Sequence, residues 1–209
     1  MLEKWIRPLY QRRIIRPIIP VFSRVFTPDQ ITVISGIFGI AAGLLIALNY
    51  PLIGTLLLLL SGIFDTLDGT LARHMSQTSN FGCVIDIFTD RIVECSVIFG
   101  LFFIDISHRA IPSMLMLISI MLCITSFLVV GVFTPNEKTE KSFYYSVGLI
   151  ERFEAFIFFI AMIWLPNFFS IIASLFASLV LVTALVRLYQ FKTQTSNVNK
   201  TLKNKTVTK

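Results

Sequence analysis

Four aspartates lie close together in an otherwise apolar chain: Asp65, Asp68, Asp86 and Asp90. Asp65 and Asp68 are three residues apart, and Asp86 and Asp90 are four residues apart, so each pair shares one face of a helix. A short turn, "HMSQTSNF", separates the two pairs. Two antiparallel helices joined by this turn would therefore bring four carboxylates together.

Such a cluster needs a cation, because ionised side chains are costly inside a membrane and like charges repel one another. Arg73 and Arg91 could neutralise part of the charge. Hard oxygen donors, however, are the ligands that Mg²⁺, Mn²⁺ and Ca²⁺ prefer. Two such ions bridged by shared carboxylates commonly clamp a phosphate between attacking and leaving oxygens. The pattern thus favours a divalent metal site that handles a phosphate.

Small residues lie on the same two helical stripes as the acids: Gly69, Ala72 and Gly82. Faces that only had to pack would more naturally carry bulky side chains. Small residues instead leave space where a large ligand can approach the helix backbone. They favour a nucleotide or a diphosphate over a bare ion.

The chain around the cluster has the composition of a membrane protein. Its 209 residues are 55% hydrophobic and 14% charged, with a mean hydropathy of +0.79. A helix needs about 20 mostly apolar residues to cross the hydrocarbon core. Six segments approach or exceed this length: roughly 30–49, 52–74, 81–104, 110–133, 149–165 and 168–190. We therefore expect an all-α integral membrane protein with six transmembrane helices and an N-terminal amphipathic surface helix.

Three regions are predicted along the chain. Residues 1–26 form a basic amphipathic juxtamembrane segment, in which Trp5 and Tyr10 suit the membrane interface. Residues 27–191 hold the six-helix domain. Residues 192–209 form a basic cytoplasmic tail that we expect to be disordered, because it has little apolar surface to bury.

The first spanning segment carries two further patterns. "TPDQIT" has the N-cap and N3 residues of a capping box, with proline at N1, so the helix is predicted to begin there. Gly36, Gly39 and Gly43 have the spacing of small residues at a helix contact. These glycines predict close helix packing rather than a ligand site.

Basic residues predict the orientation. Fifteen of the 18 Lys and Arg flank the first and sixth spans or lie in the loops after the second and fourth, and Arg109 alone is placed on the other side. By the positive-inside rule, both termini and the acidic cluster are cytoplasmic. The basic face also favours anionic membrane lipids, by about 1 kcal/mol per residue near the surface.

Read as one pattern, Asp65-x2-Asp68-Gly69-x2-Ala72-Arg73-x8-Gly82-x3-Asp86-x3-Asp90 resembles the complete signature of the CDP-alcohol phosphotransferase (CDP-alcohol phosphatidyltransferase) family. The six spans, the surface helix and "TPDQIT" resemble the same family. The resemblance implies a homodimer in the membrane. The short chain resembles the compact prokaryotic members of the family more than the larger members, which implies a location in the bacterial inner membrane.

The resemblance also implies roles for individual residues. Two Mg²⁺ or Mn²⁺ ions would be held by Asp65, Asp68, Asp86 and Asp90. The CDP moiety would be bound by Asp65, Asp68, Gly69, Ala72, Arg73 and Gly82. Asp90 would be the catalytic base that takes the proton of the acceptor hydroxyl.

The expected reaction transfers a phosphatidyl group from CDP-diacylglycerol to a small polar alcohol and releases CMP, by a metal-assisted single displacement. Inositol phosphate, glycerol phosphate and serine are all open as acceptors. Headgroup transfer from CDP-choline or CDP-ethanolamine to diacylglycerol is an alternative within the family. A divalent-cation transporter is an alternative of another class, but the acidic helices turn apolar beyond the cluster, where only Glu94 continues a stripe. No nucleic-acid motif is present.

An acceptor site is predicted from two arginines, Arg152 and Arg187. Arg152 lies at the start of the fifth span, where a cation opposes the helix dipole and so needs another reason to be there. In family branches with phosphorylated acceptors, arginines at about these places bind the acceptor phosphate, as the resemblance implies. A flanking role under the positive-inside rule remains the alternative for Arg187.

Overall fold

The structure, a computed structural model, describes residues 15–134 and 152–207. Its helices are α1 (Arg16–Phe22), α2 (Pro28–Ala47), α3 (Pro51–His74), α4 (Asn80–Ile104), α5 (Ile106–Phe133), α6 (Arg152–Trp164) and α7 (Phe169–Val207). A 3₁₀ turn, Pro166–Phe168, precedes α7. No β-strand occurs within these two ranges, which confirms the all-helical class.

Four helical stretches of the described chain are long and apolar enough to cross a membrane: Pro28–Ala47, Pro51–His74, Ile106–Phe133 and Pro166–Thr193. α4 is 25 residues long but carries several charged side chains. α6 has 13 residues, or about 20 Å of helix. The chain is an integral membrane protein, and the count of six spans stays a prediction.

α2 begins with the predicted capping box. The Thr27 hydroxyl accepts a hydrogen bond from the Gln30 backbone N–H at 3.4 Å, and the Gln30 side-chain oxygen accepts one from the Thr27 N–H at 3.0 Å. Pro28 follows the cap as the first helical residue. Both N–H groups would otherwise lack a helical carbonyl, so the reciprocal bonds fix where the helix starts.

A five-residue turn, residues 75–79, reverses the chain between α3 and α4. Ser76 takes the left-handed conformation, with φ 54°. The Ser79 hydroxyl caps α4 by accepting a hydrogen bond from the Gly82 N–H at 2.8 Å. The turn places the two acidic segments side by side at one end of the bundle, which we call the acidic end.

The helices do not pack as a simple hairpin of α3 and α4. α2 packs closely along both of them, whereas α3 and α4 are not among the closely packed pairs of the described chain. α6 contacts α3 and α4, and α5 packs mainly along α7. The two acidic stripes, predicted to face each other directly, therefore meet in a space bordered by α2 and α6.

Glycines allow α2 and α4 to approach at backbone distance. A Cβ atom on Gly39 would lie 2.3 Å from a Val93 methyl group, and one on Gly43 would lie 2.3 Å from the Ser96 carbonyl oxygen. A Cβ on Gly100 would lie 2.3 Å from the Gly43 carbonyl oxygen. These clashes confirm the prediction that the glycines of α2 serve helix packing.

The predicted N-terminal surface element falls largely outside the described residues, and Trp5 and Tyr10 are among those not described. Its described part, from Ile15 through α1, buries Ile15 and Ile19 completely or nearly so. These side chains pack with Ile31 of α2 and with Leu67 and Leu71 of α3. α1 is thereby attached to the acidic end.

The opposite end, which we call the far end, is closed by polar contacts around the start of α5. The Asp105 carboxylate accepts a hydrogen bond from the His108 backbone N–H at 3.2 Å, and this bond holds the pKa of Asp105 below its ordinary value. Arg109 is 5% exposed; it donates to the Leu101 carbonyl at 2.9 Å and lies over the Phe169 ring, 4.5 Å from its centroid. Arg109, the basic residue predicted to lie alone on the other side of the membrane, joins α4, α5 and α7.

The last helix extends into the segment predicted as a tail. α7 continues as helix through Val207, and the predicted boundary at residue 192 and the disorder beyond it stay predictions. The segment contains neither glycine nor proline, and extending an existing helix by one residue is much easier than nucleating a new one.

Candidate active site

Three of the four aspartates form one cluster. Asp65, Asp68 and Asp86 each offer a carboxylate oxygen, and these oxygens lie within 4.8 Å of one another. Asp68 is 5% exposed, and the other two are half-buried. Oxygens at this separation can share one cation, and a donor set made only of carboxylates fits Mg²⁺ or Mn²⁺.

Arg152 connects the fourth aspartate to this cluster. Its Nη1 atom contacts both the Asp65 Oδ1 atom and the Asp90 Oδ1 atom. The Arg152 side chain is 23% exposed, and its partners are similarly enclosed. The sequence assigned Arg152 to an acceptor pocket near the acids; in the structure it lies among them.

Thr32 is a site residue that the sequence interpretation missed. It lies on α2, is 4% exposed, and its hydroxyl is 2.5 Å from the Asp68 Oδ2 atom. The same hydroxyl lies 3.2 Å from the Pro28 carbonyl oxygen. A hydroxyl has one proton, so a bond to the carboxylate competes with the bond to the carbonyl. The available signal was a threonine at the end of "TPDQIT", which we had used only to place the helix start.

Of the two signature glycines, Gly69 borders open space and Gly82 is closely bordered. Apart from its chain neighbours and its own helix backbone, the described atoms within 4 Å of a Cβ placed on Gly69 belong to the flexible Arg73 guanidinium, at 3.6 Å or more. A Cβ on Gly82 would be 3.1 Å from Asp29 Oδ1 and equally near Ser79 Oγ. Ala72 is half-buried. Gly69 thus differs from the α2 glycines, where atoms of another helix occupy the space that a side chain would fill.

A further ion pair extends the site along α4. Arg91 Nη1 lies 2.7 Å from Glu94 Oε2, and Arg91 Nη2 lies 4.0 Å from Asp90 Oδ2. Glu94 is 8% exposed. Asp90 therefore has a guanidinium beside each carboxylate oxygen, one from α6 and one from its own helix.

Arg187, the second predicted acceptor residue, contacts α5. It is 9% exposed and donates to the Cys123 carbonyl at 2.9 Å and to the Ser126 hydroxyl at 3.0 Å. Its guanidinium also lies 5.3 Å from the centre of the Phe127 ring. These contacts hold Arg187 against a different helix from the acids, so its acceptor role stays a prediction.

The part of the chain that forms the acidic cluster matches the model of a known protein family. The family model for CDP-alcohol phosphatidyltransferase matches residues 25–190. The chain belongs to this family. The match includes both acidic helices, Thr32 and the two arginines of the predicted acceptor site.

Individual relatives extend the likeness over most of the chain. The inner membrane protein YnjF of Escherichia coli is 28% identical over 90% of this chain and 94% of its own length. Phosphatidylinositol phosphate synthase of Streptomyces avermitilis is 30% identical over 74% of this chain, which spans 63% of that protein. A solved structure of Mycobacterium tuberculosis phosphatidylinositol phosphate synthase with manganese and citrate is 25% identical, with a TM-score of 0.74 over 86% of this chain and 90% of the other.

Proposed function

We propose that this family member transfers a phosphatidyl group from CDP-diacylglycerol to the hydroxyl of an inositol phosphate and releases CMP. The observation that carries the proposal is the meeting of Asp65, Asp68 and Asp86 beside Arg152 and Asp90. The carboxylates suit a metal that holds a diphosphate, and the arginine suits an anionic acceptor.

The donor would lie over the small residues of α3 and α4. Gly69 presents open space beside Asp65 and Asp68, and Ala72 and Arg73 continue the same face. Gly82 lies across the space at the start of α4, beside Asp29. The open space at Gly69 would let a diphosphate approach the helix backbone there, beside the Arg73 guanidinium.

Asp65, Asp68 and Asp86 would hold Mg²⁺ or Mn²⁺, with Asp90 as a fourth ligand and two ions as the expected number. Thr32 supports this role because it donates a hydrogen bond to Asp68 and so fixes one carboxylate. When bound, divalent cations neutralise the diphosphate and stabilise the departing CMP. The relative solved with manganese supports the choice of metal.

Asp90 would take the proton from the acceptor hydroxyl. In a single displacement, the acceptor oxygen forms a bond to the phosphatidyl phosphorus as the bond from that phosphorus to CMP breaks. The proton of the hydroxyl passes to the Asp90 carboxylate, and CMP leaves with the electron pair. The two guanidinium groups beside Asp90 would orient the carboxylate for this transfer.

Arg152 would bind the phosphate of the acceptor. It is the cation in contact with Asp65 and Asp90, and guanidinium groups bind phosphates through paired, charge-assisted hydrogen bonds. Two relatives are named phosphatidylinositol phosphate synthases, which favours an inositol phosphate over glycerol phosphate or serine. Arg187 would contribute from α7 if it turns from α5 toward the acceptor.

The setting proposed for this reaction is a bacterial inner membrane, with six spans and both termini and the acidic end in the cytoplasm. The distribution of Lys and Arg supports the orientation, and the name of the Escherichia coli relative supports the membrane. A homodimer is proposed from the family resemblance.

The decisive experiment offers purified protein CDP-diacylglycerol, Mg²⁺ or Mn²⁺, and a panel of inositol phosphate, glycerol phosphate and serine. CMP release should require both the metal and one acceptor, with inositol phosphate giving the highest kcat/KM. Chelation by EDTA should abolish release, and added Mg²⁺ should restore it. Highest activity with serine would refute the acceptor assignment, and no CMP from any acceptor would refute the enzymatic proposal.

A further inference from the structure

We propose that Glu94 is a positioning residue: it holds Arg91 beside Asp90 and so fixes the direction of the carboxylate that accepts the proton. The inference rests on the proposed function, because it assigns Glu94 to the same reaction. Glu94 lies outside the family signature, which ends at Asp90.

Four charged groups form an alternating chain. Arg152 contacts Asp90 Oδ1, Arg91 Nη2 lies 4.0 Å from Asp90 Oδ2, and Arg91 Nη1 lies 2.7 Å from Glu94 Oε2. Asp90 and Glu94 are four residues apart on one face of α4. Glu94 is thus the residue that holds the outer guanidinium of the chain in place.

Helix packing alone does not explain why the Glu94 carboxylate is buried. Glu94 is 8% exposed, and removing a carboxylate from water costs free energy that its ion pair with the partly exposed Arg91 offsets only in part. Arg91 Nε is buried without a hydrogen-bond partner in the described part of the chain. Glu94 Oε2 is likewise without one there, because its close contact with Arg91 lacks hydrogen-bond geometry. A pair that leaves two polar atoms unsatisfied is poorly explained as a stabilising element.

The effect of the Arg91–Glu94 ion pair on the position of Asp90 explains the pair better. Arginine is long and flexible, and Arg91 is 32% exposed on its side chain, so without Glu94 it could turn toward solvent. Asp90 would keep Arg152 on one oxygen and lose the group beside the other. A misplacement of about 1 Å at a reacting group can cost about 100-fold in rate, so a small rotation of Asp90 would slow proton transfer.

A double-mutant cycle tests the inference. Glu94→Gln, Arg91→Gln and the double variant are compared with wild type by CMP release at saturating substrates. Each single variant should lower kcat about tenfold, with both KM values changed by less than about twofold. The double variant should be no slower than the slower single variant, because Glu94 acts through Arg91.

Asp105→Asn is the matched control, since it converts a carboxylate to an amide at the far end and asparagine caps a helix as well as aspartate does. Its kcat should equal that of wild type. Binding of CMP and the melting temperature are measured for every variant, and Glu94→Asp, which keeps the charge, should recover part of the lost kcat.

Three outcomes would overturn the inference: wild-type kcat in Glu94→Gln, multiplicative losses in the double variant, or parallel losses of CMP binding and kcat in both Glu94 variants. The last would indicate a structural role. Failure of the proposed function is distinguishable, since wild type itself would then release no CMP.

Discussion

Two enclosed arginines at opposite ends of the bundle have different surroundings. Arg152 lies between the carboxylates of Asp65 and Asp90, whereas Arg109 donates to the Leu101 carbonyl and lies over the Phe169 ring. The contacts on α4, Asp90 and Leu101, are 11 residues apart, or about 16 Å along the helix. The protein therefore encloses one arginine between carboxylates and another mainly against a backbone carbonyl and an aromatic ring.

The difference shows why enclosure of a charge is not by itself a sign of function. Around Arg109, a carbonyl dipole, an aromatic ring and the nearby Asp105 carboxylate accompany a single cation, so negative charge is not in excess there. At the acidic end, the carboxylates in the residues described outnumber the guanidinium groups: Asp29, Asp65, Asp68, Asp86, Asp90 and Glu94 lie there with Arg73, Arg91 and Arg152. That excess of negative charge favours the binding of further cations, and it is why we propose the acidic end as the site of the reaction.

The comparison would be tested most strongly by Asp90→Asn. Removal of a general base typically costs about 10²–10⁴-fold in rate, and we expect kcat to fall within this range. CDP-diacylglycerol binding should persist, because the contacts proposed for the donor lie on Gly69, Ala72, Arg73 and Gly82. Steady-state CMP release and equilibrium donor binding provide the two measurements. A kcat within about twofold of wild type would remove Asp90 from the role of base.

Arg152→Met and Arg109→Met would sharpen the comparison, because both remove a guanidinium and retain apolar bulk. Loss of one charge-assisted hydrogen bond, about 1.5–3 kcal/mol, predicts an acceptor KM at least about tenfold higher for Arg152→Met. The KM for CDP-diacylglycerol should change less. Initial rates at varied acceptor concentration measure the effect. An equal acceptor KM in the two variants would show that Arg152 does not bind the acceptor.

Arg109→Met should have the smallest effect on turnover and a clear effect on stability. It leaves the Leu101 carbonyl without its donor, which typically costs about 1–3 kcal/mol, so the melting temperature in detergent should fall. The kcat measured well below that temperature should match wild type. Lys192→Met, at an exposed position, serves as the control for loss of one positive charge. A loss of kcat without loss of stability would contradict the structural role of Arg109.

Local features were predictable because they depend on neighbours in sequence. The cap at Thr27, the approximate bounds of α2, α3 and α4 and the acidic signature all follow from spacing, and the α2 glycines predicted a close contact correctly. The end of α7 at Val207 lies beyond the predicted end of the sixth span. Helical periodicity also placed the aspartates on common faces.

Contacts between distant segments were harder to predict. Periodicity defines a face but does not say which helix covers it, so the position of α2 against both α3 and α4 was missed. Thr32 meets Asp68 across 36 residues, and Arg152 meets Asp90 across 62. Arg109 looked like a flanking charge, because nothing near it in sequence indicates that Phe169 will cover it. These pairings depend on the packing of the whole bundle.

The capping box at the start of α2 restricts insertions and deletions in the first turns of that helix. The cap fixes the first helical residue, and Thr32 follows at a set height and angle opposite Asp68. Inserting one residue between Thr27 and Thr32 would shift the threonine by about 1.5 Å and turn it by about 100°. The glycine face that meets α4 would turn with it. Evolution can therefore exchange residues within this short stretch more readily than it can change the number of residues there.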